Sequence, residues 1–127
     1  MKKILIIDDE YKFRNVYKKL LKLEGHEVLE AENGITAYNL LLSNHHVDLI
    51  LLDINMPEFA GNKLFNLLQL FFARIKVIVT SVCPLDEQEE LIDNAADYFD
   101  KSQGTDVLLE KVKNVLGKTH RQKEEKR

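Results

Sequence analysis

Apolar and polar positions along the chain switch repeatedly between two periods. Residues 4–7 are an unbroken apolar run, the pattern of a strand covered on both faces, so a strand is expected over 3–7. Phe13, Val16, Tyr17, Leu20 and Leu23 then recur at helical spacing, with Arg14, Lys18, Lys19 and Lys22 between them. Gly25 follows where a left-handed helix stop is common. Residues 26–31 read as a more polar strand nearer an edge, Asn33-Gly34 as a turn, and 35–42 as a short helix carrying Ala37, Leu40 and Leu41. Residues 47–52 form the clearest buried strand. Met56-Pro57 and Gly61 bracket a loop, and 62–72 is a helix with Leu64, Leu67, Leu68 and Phe71 on one face. A strand over 76–80, a short helix over 86–93 with Asn94 as a possible left-handed stop, a strand over 97–100 and an amphipathic helix over 105–116 complete the pattern.

Strict alternation of five strands with five helices predicts an α/β fold: one doubly wound, flavodoxin-like domain. A five-stranded parallel sheet with helices on both faces is expected, in the common flavodoxin-like order 2-1-3-4-5, which would make the first and third strands neighbours. The domain is expected over 1–117, and the charged stretch 118–127, which lacks apolar residues, as a flexible tail, either a frayed helix end or a disordered extension.

Bulk numbers narrow the class. At 127 residues the chain suits one domain, and its 45% hydrophobic and 31% charged residues are ordinary for a globular protein. A net charge of -3 gives no broad basic face, so no direct nucleic-acid partner is expected. The single cysteine, Cys83, excludes an internal disulfide framework and fits a reducing cytoplasm. The run at 4–7 is too short for a signal-peptide core, and 64–75 is broken by Asn66, Gln69 and Arg74, so no membrane span is expected.

The chemistry sits where the apolar runs stop. Residues 4–7 end in Asp8-Asp9-Glu10, 49–52 in Asp53, 77–79 in Thr80-Ser81, and Tyr98-Phe99 is followed by Asp100 and Lys101. In a parallel sheet all these ends share one rim, where open α/β sheets bind ligands. Two like charges about 4 Å apart repel by roughly 4 kcal/mol at an effective dielectric near 20. Clustered carboxylates therefore call for a cation, and hard oxygen donors favour Mg²⁺ or Mn²⁺. Helix capping is the plainer reading of any one aspartate. A carboxylate open to attack can also accept a phosphoryl group, with Lys101 supplying positive charge and Thr80 a hydroxyl.

Four segments in order, residues 4–10 (ILIIDDE), 48–61 (DLILLDINMPEFAG), 77–81 (VIVTS) and 97–101 (DYFDK), make the chain similar to the receiver domains of response regulators in bacterial two-component systems. The resemblance covers residues 2 to about 117. It implies Asp53 as phosphoacceptor, and Asp8, Asp9 and Asp53 with the backbone carbonyl of Asn55 as the Mg²⁺ site. Thr80 and Lys101 become the phosphoryl-sensing pair, and Tyr98 the switch aromatic that turns inward behind Thr80. It implies a histidine kinase or histidine phosphotransfer protein as donor, met by the first helix. Output passes through the surface of the fourth helix, fifth strand and fifth helix, on a monomer or a phosphorylation-promoted dimer. Such a module switches a binding surface and is not a conventional enzyme.

Three features depart from the family pattern. Ser102 follows Lys101 where proline is usual, so a trans bond and a rearranged loop are expected. Val82-Cys83-Pro84 gives the loop after Thr80 an unusual course, and Asn94 stands where glycine is common. Two rivals remain: a phosphorylation-independent docking module with an idle rim, and an aspartyl-phosphate phosphatase or phosphotransferase. The second wants a carboxylate where Asn55 stands. His45-His46 read as a solvated turn, Cys83 as a spectator, and Phe65 and Phe72, one heptad apart, as packing residues of which one can lie off the core stripe.

Overall fold

The computed structural model describes residues 2–44, 46–56 and 61–125. Met1, His45, residues 57–60 and residues 126–127 lie outside them, and with them the loop expected at Pro57 and the His45 part of the expected solvated turn. The elements in chain order are β1 (Lys3–Ile7), α1 (Tyr11–Leu23), β2 (Glu27–Ala31), α2 (Gly34–Ser43) and β3 (Leu49–Asp53). They continue with α3 (Gly61–Phe71), β4 (Lys76–Ser81), α4 (Leu85–Leu91), β5 (Asp97–Asp100) and α5 (Thr105–Glu125). The strands form one parallel sheet in the order β2-β1-β3-β4-β5, as expected.

Why the middle positions of the central strands are apolar follows from their two faces. Leu5, Ile7, Ile50, Leu52, Val77 and Val79 pack with Ala37, Leu41, Leu64, Phe65, Leu68 and Ile92, on the side of α2, α3 and α4. Ile4, Ile6, Leu49, Leu51, Ile78 and Phe99 pack with Tyr17, Leu21, Leu108, Val112 and Val115, on the side of α1 and α5. Successive strand residues point to opposite faces, so a strand covered on both sides is apolar at successive positions until it reaches the rim, where Asp53, Thr80 and Ser81 stand.

Gly25 (φ 91) and Asn94 (φ 74) adopt the left-handed conformation expected of them. Several local expectations are revised. Asn33-Gly34 is a helix start, not a free turn: Asn33 Oδ1 accepts a hydrogen bond from the backbone N of Thr36 at 2.8 Å, and Gly34 is already helical. Helix α4 is shorter than predicted, ending at Leu91. In α1 the buried residues are Tyr17 and Leu21, while Leu23 is exposed at the helix end. Phe71, assigned to the core face of α3, is 63% exposed, while Phe65 is buried. The helix expected to end at 116 continues through the charged stretch as far as Glu125.

No helix among the described residues is long and apolar enough to cross a membrane.

Candidate functional site at the carboxyl rim of the sheet

Strand register brings the polar ends together. Ile7 pairs with Leu52, so Asp8 and Asp53 leave adjacent strands side by side, and Asp53 pairs with Thr80 on the next strand. Lys101 follows β5 and donates its backbone N–H to the Ser81 carbonyl at 2.8 Å. Asp8, Asp53 and Thr80 are all buried.

Both aspartates turn the chain off its strand in the same way. Asp8 Oδ1 accepts the backbone N–H of Glu10, and Asp53 Oδ1 accepts that of Asn55, each at 2.9 Å. These Asx-type turns leave each second oxygen, Oδ2, free to face the rim. The capping reading fails at α1, whose N-cap residue Glu10 makes no side-chain cap bond.

Between the two Oδ2 atoms lies the Lys101 ammonium, 2.7 Å from Asp8 and 3.3 Å from Asp53, with all three side chains 2% exposed. Its Nζ is also 4.2 Å from the centroid of the Phe13 ring, close enough for a cation–π contact. Ser102 in place of proline therefore does not keep Lys101 from the site. No cis peptide bond occurs among the described residues, and Ser102 donates both its N–H and its hydroxyl to Asp100 Oδ1, at 2.9 and 2.8 Å. That turn sets the lysine's direction.

The expectation of an acceptor open to attack is corrected. Asp53 is 1% exposed, because the ammonium closes over Oδ2 while the Asn55 N–H occupies Oδ1. Burial pushes its carboxyl up to about 6, against the Asn55 hydrogen bond and the Lys101 charge, which pull it down. At neutral pH Asp53 is still mainly the carboxylate that nucleophilic chemistry needs. The Tyr17 hydroxyl beneath is pushed well above the usual phenol range, first by burial and then by the negative charges of Asp8, Asp53 and Glu10.

The carboxylates differ from the expected set in one respect. Oxygens of Asp8, Asp9 and Glu10 lie within 4.8 Å of one another, whereas Asp53 joins Asp8 through Lys101. Asp9 and Glu10 are exposed and Asp8 is buried. An all-oxygen donor set with one buried carboxylate suits a hard divalent cation. Asn55 stands on the exposed rim; it touches Asp53 through its N–H. Tyr98 is in register with Val79, one residue below Thr80, and so projects from the opposite sheet face to Thr80. Its hydroxyl donates to the Ile92 carbonyl at 2.6 Å and accepts from the Ala95 N–H at 3.2 Å, which ties it to the end of α4.

Sequence reasoning missed several supporting residues. Arg14 donates to the Asp8 carbonyl at 2.7 Å and pairs with Glu30 on β2 at 3.3 Å, steadying the β1–α1 turn. Ser81, fully buried, accepts from Asn55 Nδ2 at 2.8 Å and from the Cys83 N–H at 3.1 Å. Gln88, also fully buried, donates to the carbonyls of Cys83 at 2.8 Å and Phe99 at 3.0 Å. Ser81 and Glu10 had a visible signal, Ser81 as the polar end of the 77–79 run and Glu10 in an acidic triplet, whereas Arg14 and Gln88 had none. A cavity of about 440 Å³ lined by Lys2, His46, Asp48, Arg74 and Lys76 opens at the other end of the sheet, away from these carboxylates.

The family model for the response regulator receiver domain matches residues 4–113. Over 120 residues the chain is 32% identical to a chemotaxis protein CheY homolog of Campylobacter jejuni, covering 91% of this chain and 92% of that protein. Over 118 residues it is 31% identical to sporulation initiation phosphotransferase F of Bacillus subtilis, covering 90% and 93%. Among solved structures, response regulator protein TrrA of Thermotoga maritima, in complex with Mg²⁺ and BeF, aligns with a TM-score of 0.77 at 34% identity. That alignment covers 91% of this chain and 99% of TrrA. A CheY-like receiver domain protein of Methanospirillum hungatei aligns with a TM-score of 0.86 at 27% identity, covering 96% and 98%.

Proposed function

Because the chain belongs to the response regulator receiver domain family, whose members are phosphorylation switches, we propose that Asp53 is the phosphoacceptor of a phosphorelay. The donor is a phosphohistidine on a histidine kinase or a phosphotransfer protein. The observation that carries this reading is the ion pair at the rim: two buried carboxylates held apart by the Lys101 ammonium, on adjacent strand ends beside Thr80.

In the reaction a carboxylate oxygen of Asp53 attacks phosphorus, the phosphorus–nitrogen bond breaks, and the imidazole nitrogen keeps the electron pair and takes up a proton. A carboxylate that has become an acyl phosphate no longer offers Lys101 the same oxygen, so the ammonium moves to a phosphoryl oxygen. Thr80 donates its hydroxyl to another. One charge-assisted hydrogen bond offers about 1.5–3 kcal/mol, whereas moving a two-state equilibrium from 1:99 to 99:1 takes about 5.5 kcal/mol. Thr80 alone is therefore insufficient, and Lys101 and the repacking of Tyr98 contribute the remainder. Asp8, Asp9, Asp53 and the Asn55 carbonyl would hold Mg²⁺, or Mn²⁺, with Glu10 within reach of the same position. When bound, the ion neutralises the charge that develops on the transferring phosphoryl oxygens. Output runs through the α4–β5–α5 surface, on a monomer or on a dimer that phosphorylation promotes. Neither nucleic acid nor membrane is a direct partner, and a cytoplasmic location belongs to the same reading.

The closure over Asp53 favours one alternative, a docking module whose site is idle. What lies against Oδ2 is a lysine ammonium rather than the apolar core, and a lysine side chain can swing away. Phosphatase chemistry has less support, since the Asn55 amide is engaged with Ser81 and offers no general acid. Incubation with acetyl phosphate, followed by intact-mass measurement, separates the readings. The phosphoacceptor reading expects one phosphoryl group per chain with Mg²⁺ and none with chelator. No uptake in either condition would leave the idle module.

A further inference from the structure

Helices α2 and α3 differ from the rest of the surface. The chain is 31% charged, and α1 alone carries Lys12, Arg14, Lys18, Lys19 and Lys22 in 13 residues. Helix α2 has no charged residue, and Lys63 is the single one in α3. On this neutral face Ile35 is 74% exposed, Leu42 50%, Leu70 76% and Phe71 63%.

These side chains are not spare core. The core sides of the two helices are already occupied, by Ala37 and Leu41 from α2 and by Leu64, Phe65 and Leu68 from α3. Between the helices runs a shallow groove of about 270 Å³, where Ile35 and Tyr38 meet Leu64, Leu67 and Phe71. Tyr38, itself 39% exposed, is braced edge-on against Phe72, with centroids 6.1 Å apart and planes at 77°. A braced tyrosine in an apolar groove is the kind of rigid anchor that dominates binding energy at interfaces.

We propose that the α2–α3 face pairs with the same face of a second copy of this chain, forming a two-fold dimer that does not require phosphorylation. Charge selects this occupant. With Lys63 the one charged residue on the two helices, the face meets its own copy with little like-charge repulsion and offers a charged partner little to pair with. Area agrees: side chains at these exposures present roughly 600 Å², most of the about 800 Å² that each partner gives to a standard interface. Two-fold pairing is also the commonest closed assembly and needs just one self-complementary patch. None of these residues belongs to the phosphoryl site, so this dimer is separate from any that phosphorylation promotes on the α4–β5–α5 surface.

Sedimentation velocity on the whole unphosphorylated chain, over a wide concentration range, tests the pairing. The expected mass rises toward twice that of one chain. Ile35→Glu and Phe71→Glu each weaken the dimer at least ten-fold, while Leu91→Glu on α4 and Leu23→Glu on α1 leave it intact. Both groove positions are exposed, and unchanged far-ultraviolet circular dichroism verifies folding; if Phe71→Glu misfolds, Ile35→Glu decides alone. A monomer at every concentration overturns the proposal. So does a dimer that appears only after acetyl phosphate treatment, one that survives both groove substitutions, or one that Leu91→Glu alone dissolves.

Discussion

Asp53 holds a carboxylate in a place that disfavours its charge, and the cost has a definite pH signature. Its folded-state value of about 6 lies above the ordinary value near 4. The folded protein therefore binds more protons than the unfolded chain in that window, and stability falls as pH rises from about 4 to about 6. Asp53→Asn removes the titrating group. The variant is expected to be more stable than wild type at pH 7–8, by up to about 3 kcal/mol, with the two converging near pH 4. Urea denaturation across that range checks this, and equal stability at pH 8 would count against a costly buried charge. Lys101 carries the opposite prediction. Lys101→Met leaves two carboxylates facing each other and is expected to cost about 3–5 kcal/mol at neutral pH, partly recovered by Mg²⁺. Denaturation with and without the ion measures both parts. Asp8, Asp53, Thr80 and Lys101 were legible as site candidates because each ends an apolar run or follows one closely. That Lys101 would close over Asp53 was not legible, since it depends on where a side chain from the far edge strand falls.

At the scale of elements, the β4–α4 loop is held by a relay that no linear pattern displays. The Asn55 N–H binds Asp53 and its side-chain amide binds Ser81. Ser81 in turn accepts from the Cys83 N–H, and the Cys83 carbonyl is bound by Gln88 from α4. Gln88 also reaches the Phe99 carbonyl on β5. A buried amide with two such partners is worth more than its helix propensity suggests. Gln88→Leu is expected to destabilise the domain by about 1–2 kcal/mol, because it leaves the buried Phe99 carbonyl and the partly buried Cys83 carbonyl without this partner. Unchanged thermal unfolding would show the relay to be unimportant. The same scale explains where periodicity misled. Apolar spacing placed Phe71 inward, but α3 has more apolar residues than its core face can hold. On α1 the polar spacer positions conceal Leu21, which a strict five-residue stripe passed over. Asn33-Gly34 has the composition of both a turn and a helix cap, and only the Thr36 hydrogen bond tells them apart.

For the whole molecule, fold class was readable because three covered strands, two more polar edge strands and their helices leave few right-handed arrangements, and the observed strand order is the one expected. The proposed function is a property of the rim, where three strand ends and one loop lysine converge, and not of the fold. The central claim is that this convergence makes Asp53, and no other side chain, a phosphoryl acceptor. Treatment with acetyl phosphate and Mg²⁺, then borohydride reduction of any acyl phosphate and peptide mapping, reads the position directly. Homoserine at position 53 alone, absent when the cation is chelated, is the predicted result. Homoserine at another aspartate, or an unmodified residue 53 in the presence of the ion, would contradict the account.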